Sequence, residues 1–250
     1  MTHVVLAPKT DVDAELAALS ARHKAASGVG MRVLNALGTQ ADGLLDRLPA
    51  SVRHGLTEAT IVALHQAVRA ADGSRTIIPD QGAFLNQSVG VGLGAAGGFG
   101  GLASALAELP VTTTFLLRVI QGVAAAEGFD PSEEGVRFDC VHVFASAGPL
   151  SDDDDADLAF LSARIALQGV AMQGVIARVA PRLASVLGQK LAAQTVPVLG
   201  ALAGASTNLV YTRYYTEMAH VHFGLRRLAG DSGVPHAELV SGLAKRLAAD

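Results

Sequence analysis

The chain has 250 residues, half of them hydrophobic, with eight Phe, three Tyr, no Trp and a net charge of −4. Its apolar mass is therefore Ala, Leu and Val, suited to closely packed helices, and charged residues reach only 17%, below the ~25% of ordinary soluble domains. No Lys/Arg cluster exceeds the pair Arg226 and Arg227, which excludes nucleic acid as a partner, and the lone Cys140 excludes an intrachain disulfide framework or a cysteine zinc site.

Helical periodicity runs along the chain, and no stretch alternates like a strand. The N-terminus lacks a basic region followed by a long apolar run, so no secretory signal is expected and the expected compartment is the cytoplasm. "TDVDAELAALSARHKAAS" opens with acids and closes with bases, which complements a helix dipole. A second helix is expected over residues 31–47, interrupted near Gly38 and Gly43, and a third from about Pro49 to Ala71, stopped by "DGSR". "LPVTTTFLLRVIQGVAAAEG" reads as a helix with Pro110 at its start or at a kink. In "FDPSEEGVRFDCVHVFASAG" Asp130 is the expected N-cap, Pro131 the first helical residue and Glu133 the third. A further helix begins at Ser151 with Asp152–Asp155 in its first turn; a long tract over 183–230 is broken near Pro197, and "PHAELVSGLAKRLAA" closes the chain. With no linker or composition shift, residues 1–250 read as one all-α domain, a compact bundle of about eight to ten helices.

Seven glycines fall between Gly90 and Gly101. Gly92, Gly94 and Gly97 match G-x-G-x-x-G, but a dinucleotide turn needs a buried strand before it and an acid ~20 residues after it, and neither is present. The spacing of four is more informative: Gly90/Gly94, Gly94/Gly98, Gly97/Gly101 and, far downstream, Gly200/Gly204 each place two glycines on one helix face. A missing Cβ there lets another backbone approach, so glycine-rich helix–helix contacts are expected, with Gly98 and Gly101 meeting residues 198–209. The 27 residues between Asp80 and Glu108 and the 22 between Lys190 and Arg213 carry no charge. Both windows reach the ~20 residues of a membrane span but are poor in Leu, Ile and Phe, so they read as buried core hairpins, as membrane-embedded or re-entrant helices, or as the wall of a ligand cavity.

Two ordered motifs about a hundred residues apart carry a family resemblance. The first is Gly97, Gly98, Gly101, Leu109, Pro110, Thr112, Thr113 and Arg118; the second is Pro197, Gly200, Ala201, Gly204, Asn208, Thr212, Phe223 and Arg226. Together they resemble the EcsC family, best over residues 90–229. That family is named after a protein encoded beside an ATP-binding cassette transporter and has no agreed biochemical activity. The resemblance implies a bacterial protein associated with a membrane or a transporter, and it supplies no catalytic residue.

Thr114, Arg118 and Gln121 share a helix face, and Arg118 reads as a paired arginine between helices or as a contact for a substrate carboxylate or phosphate. On the last long helix Val210, Tyr214, Met218, Val221, Leu225 and Leu228 form an apolar stripe. Nearly opposite, Asn208, Thr212, Tyr215, His222 and Arg226 form a second line, which reads as a solvated face or as a polar network between helices. His220 and His222 diverge on a helix and cannot share one metal; Asp152–Asp155 lack calcium-loop spacing, and Ser185 lies outside a nucleophile elbow. No catalytic constellation, cofactor site or metal site is expected. The expected function is a non-enzymatic accessory protein, cytoplasmic and lying peripherally on or partly embedded in the inner face of the cell membrane, whose partner is a membrane surface or an ABC-type transporter. The alternative is a soluble enzyme, such as a hydrolase, binding a lipid or an apolar small molecule in a cavity near Arg118, Asn208 and Thr212.

Overall fold

The computed structural model describes residues 11–26, 50–75, 77, 79–99, 101–145, 174, 176, 180 and 197–249; for residues 50–57, 59, 98–99, 101–109, 145 and 197–203 it describes the backbone alone. Seven helices and no strand are found among them: α1 (Val12–Ala26), α2 (Ala50–Ser74), α3 (Ala83–Phe99), α4 (Gly101–Ala126), α5 (Glu134–Ala145), α6 (Pro197–Ser232) and α7 (His236–Ala249). The fold is all-α as expected. Seven described helices fall short of the expected eight to ten, and the segments predicted at 31–47 and from Ser151, with Asp152–Asp155 and Ser185, lie outside the described residues. Between residues 145 and 197 only Gly174, Ile176 and Ala180 are described, all helical, with Ile176 and Ala180 buried.

Local chemistry explains most of the boundaries. Asp11 caps α1, its Oδ1 accepting the N–H groups of Asp13 and Ala14 at 3.1 and 3.2 Å. The acids Asp13 and Glu15 then fill the first turn, and His23 and Lys24 the last. α4 ends at Gly128, whose φ of +89° admits the left-handed turn. The Phe129 N–H reaches back to the Ala124 carbonyl at 2.9 Å and the Gly128 N–H to that of Ala125 at 3.0 Å, a Schellman closure. This turn throws Phe129 back against the bundle.

One expectation about a helix start is corrected, and one pair of alternatives is narrowed. α5 begins at Glu134 rather than Pro131, because Asp130 closes a turn of its own: it accepts the Ser132 N–H at 2.8 Å, and its carbonyl accepts the Glu133 N–H at 3.1 Å. Pro110 does not start a helix. It lies inside α4, where the Thr114 hydroxyl donates to its carbonyl at 2.7 Å. The first charge-free window is divided between α3 and α4; the described part of the second, residues 197–212, lies in α6. Among the described residues no helix is long and apolar enough to cross a membrane.

α6, with 36 residues, is ~54 Å long and is the axis on which the rest is hung. α1 runs antiparallel to it, as Arg22 pairs with Glu217, Leu19 meets Gly224 and Glu15 pairs with Arg227. α5 is antiparallel on another side, with Asp139 beside Arg226 and Phe144 stacked on Tyr215 at 5.1 Å. α4 runs the same way as α6, bringing Glu127 to His220 and Arg227. α2 lays Leu64, Ala67 and Ala71 against the α4 side of the core, and α7 covers α1 through Leu16 and an Arg246–Asp13 ion pair. The second line of α6 is therefore no solvated face: Asn208, Thr212, Tyr215 and His222 are as buried as the apolar stripe, because helices cover α6 on both sides.

α3 lies antiparallel along the first half of α6. Gln87 is opposite Arg213, Gly90 opposite Asn208 and Thr212, and Gly94 opposite Gly204. A Cβ added at Gly90 would sit 2.6 Å from Thr212 Oγ1 and 3.3 Å from the Phe115 ring; one at Gly94 would run into the Gly204 carbonyl and lie 3.0 Å from the Ala205 nitrogen. The surroundings of Gly98, Gly101 and Gly200, where this approach was expected, lie outside the described residues. The G-x-G-x-x-G match falls in the interior of α3, so it makes no phosphate-binding turn. Gly92, on the opposite face, meets nothing within 4 Å.

The two faces of α3 predict opposite effects of one substitution. Gly94→Ala must separate two backbones and should cost ~1–3 kcal/mol, the range of an overpacked site. Gly92→Ala should stabilise by up to ~1 kcal/mol by restricting the unfolded chain and raising helix propensity. Denaturant unfolding of both variants checks this, and equal shifts of the same sign would refute the close approach.

Candidate functional site

The residues singled out by sequence fall into three settings. Gly204, Asn208 and Thr212 line the α3–α6 seam, where the buried Thr212 hydroxyl donates to the Asn208 carbonyl at 2.7 Å. Gly97 is buried further along α3 and Thr113 on α4, while Thr112 is half-buried. Arg118 belongs to a different place. Its Nη1 lies 3.1 Å from Asp80 Oδ1, and the same carboxylate takes both Nη groups of Arg75, at 3.0 and 2.8 Å. Asp80 rests over Gly122, at 3.7 Å from where a Cβ would be. Burial lowers the Arg118 pKa from its usual value, and the Asp80 charge works against that shift. One turn on, Gln121 donates to Asp72 at 2.8 Å, and Asp72 also pairs with Arg137. Arg118 is thus a paired arginine tying α4 to the turn before α3, and it meets different partners from Asn208 and Thr212.

The third setting surrounds Phe223 and Arg226. Arg226 donates to Asp139, a carboxylate only 2% exposed, and its guanidinium lies 4.4 Å from the Phe129 ring centroid. Phe129 in turn packs on Phe223 at 5.5 Å. His222, fully buried, has Nε2 3.7 Å from the other Asp139 oxygen and its ring 6.1 Å from that of His142. The Schellman turn after α4 supplies Phe129, α5 supplies Asp139 and His142, and α6 supplies the rest. Cys140 beside them is buried, and burial pushes its thiol well above the usual value, so it is no nucleophile. A carboxylate, two imidazoles and a guanidinium in this arrangement cross-link helices, with Asp139, His142 and His222 buried and Arg226 partly so.

On the neighbouring face of α6, Glu127 joins three helices. Its Oε1 is 2.7 Å from His220 Nδ1, its Oε2 accepts from Arg227 Nε at 3.0 Å, and Arg227 continues to Glu15 at 3.1 Å. The His220 contact, followed by Arg227, holds the Glu127 carboxyl below its usual 4.5 against the opposing effect of burial. Arg227 is raised mainly by that same bond to Glu127. His220 and His222 therefore serve separate networks. Sequence alone could not name Asp80, Asp139 or Glu127 as partners, since each is supplied by a helix or turn remote in the chain.

What the interior does not absorb is an apolar end. Ile77 and Phe84 are 82% and 84% exposed, and Leu85 and Val89 are about half exposed. Residues 79–85 are all exposed in succession, so this is a projecting end and not a groove. A helical wheel of α3 carries the signal: Leu85, Val89, Gly92 and Ala96 lie away from Gly90, Gly94 and Gly97, and that outer face has no charge.

Residues 56–228 match the EcsC protein family, a span that holds most of α2, all of α3 to α5 and nearly all of α6, leaving α1 and α7 outside. No curated protein and no solved structure matches the chain.

Two outcomes follow from the ion pairs. Asp139→Ala removes the buried anion beside Arg226 and should cost ~3 kcal/mol, the low end for breaking a buried pair; denaturant unfolding measures it. Glu127 has a depressed folded pKa, so its contribution is complete above 4.5 and disappears as pH falls through the folded value. Glu127→Gln should therefore melt below the wild type at neutral pH, with the gap closing in acid below pH 4.5. A gap that stays constant with pH would show that the carboxylate charge is not what matters there.

Proposed function

The chain belongs to the EcsC protein family, and we propose that it is a helical accessory protein without catalytic activity of its own, acting at the inner face of a membrane beside a lipid surface or a membrane transporter. The observation that carries this reading is α3. One face of this charge-free helix is pinned to α6 by glycines, and the other leaves Phe84, Leu85 and Val89 outside. A water-soluble surface rarely keeps such bulk grouped without a use for it. The glycine-rich contacts support the reading in a second way. They let α3 lie close on α6 with small residues alone, so its larger side chains are free for something external.

The family span supports an accessory role, and so does the engagement of the strongest chemical groups. Arg118, Asp139, His220, Arg226 and Arg227 are all taken up by pairs that hold helices together. Association through a peripheral surface fits the described helices, none of which is long and apolar enough to cross a membrane.

Cell fractionation tests this. The protein should sediment with membranes, be partly released by a high-salt wash and be fully released by detergent. Complete recovery in the soluble fraction, together with no affinity for vesicles or for a transporter, would sink it.

A further inference from the structure

We propose that the docking element is the tip formed by Arg75, Ile77, residues 79–82 and the first two turns of α3, and that its partner is a phospholipid surface bearing anionic headgroups. Ile77 and Phe84 enter the acyl boundary while Arg75 and Arg213 meet phosphates. This rests on the membrane reading above and adds the surface and the lipid class.

Of the six exposed large hydrophobic side chains among the described residues, four are Ile77, Phe84, Leu85 and Val89. Bulk is graded along α3. Phe84, Leu85 and Val89 occupy its start, and the exposed positions beyond are Gly92 and Ala96. Phe84 and Val89 are ~7.5 Å apart along the axis, so this bulk is confined to the first two turns of α3. A convex end of consecutive exposed residues fits a fluid phase that closes around it, whereas a folded partner would need a matching pocket.

The rim has the charge for an anionic surface. No carboxylate occurs from residue 81 to 107. The one acid at the tip, Asp80, is shared by Arg75 and Arg118, so two guanidiniums face one carboxylate. Arg213, exposed on α6, stands beside α3 with its Nε 3.4 Å from Gln87 Oε1. Asp130, whose carboxyl also feels Arg75, is held in its own turn by the Ser132 N–H. Arginine stems can lie along the apolar side chains while their heads reach phosphate.

The chain has no tryptophan, so Phe84→Trp gives a single reporter at the tip, and Val62→Trp, on exposed α2, a control. Each is titrated with vesicles of phosphatidylcholine alone and with 30% phosphatidylglycerol (an amount on the order of a typical anionic fraction), and the wild type is floated on both. The expected result is flotation several-fold stronger on the anionic vesicles. The Phe84→Trp emission should shift to the blue and be quenched by brominated acyl chains, with Val62→Trp unchanged. Phe84→Asp should lose flotation about tenfold with an unaltered melting curve, and Arg213→Glu should lose it several-fold.

Flotation of the wild type with unmoved Phe84→Trp emission, or with full retention by Phe84→Asp, overturns the tip while leaving membrane association intact. Equal flotation on both vesicle types overturns the anionic headgroup. An emission shift that needs no vesicles and tracks self-association assigns the tip to a second copy and overturns the proposal. No flotation on either vesicle overturns it as well and points the family role toward a protein partner.

Discussion

A helix of 36 residues whose apolar stripe and polar line are both largely buried needs neighbours on opposite sides, and the other described helices are arranged to meet that requirement. α1, α4 and α5 enclose its second half and α3 its first, each by a different device. Where α6 offers Gly204, the neighbour can come to backbone distance. Where it offers Tyr211, Tyr214 and Tyr215, the chain's three tyrosines, the neighbour is Phe144, and the Tyr215 hydroxyl finds the Phe144 carbonyl at 3.2 Å. Further on, where it offers His222 and Arg226, the neighbour must bring a carboxylate, and Asp139 does so.

Polar groups buried this way stabilise less by their own attraction than by forbidding other arrangements. A slip of α5 along α6 by one turn would strand Asp139 in an apolar setting, and an unpaired buried charge costs several kcal/mol. Apolar contacts among Ala, Leu and Val tolerate such slips far better. In a chain so rich in small aliphatic residues, the ion pairs of Asp139, Glu127 and Asp80 set the registers of α5, α4 and the turn before α3.

The sequence made most of the described helices legible, along with the acid-to-base gradient of α1, because those signals are local, whereas the Asp11 cap and the Gly128 closure are supplied by the structure. The family motifs were legible too, yet their meaning was not. Arg118 could be read as needing a carboxylate, but Asp80 is 38 residues away on a turn whose path depends on how α2 and α3 pack. The line from Asn208 to Arg226 looked like a face because periodicity tells which residues share a side, not how many sides are covered. Helix α5 was placed three residues early for a related reason: Asp130 and Pro131 suit a helix start and a closed turn equally well, and only the Ser132 and Glu133 N–H bonds choose between them. The pairing of Gly94 with Gly204 is seen in the described part of the α3–α6 seam, whereas Gly98 and Gly101, where contact was also expected, have surroundings outside the described residues.

The pairing of Gly94 with Gly204 also has a temporal side. Those residues are 110 positions apart, so at the usual 5–20 residues per second a ribosome releases α3 roughly 6–20 s before the helix that covers its glycine face exists. During that interval a charge-free helix with Phe84 and Leu85 on one side can meet α4, but its Gly94 side still lacks α6. Contacts this remote in sequence also form late once the chain is free. The nascent protein is therefore at its most adhesive well before it is complete, and whatever surface or chaperone first receives α3 meets it while its Gly94 side is still open.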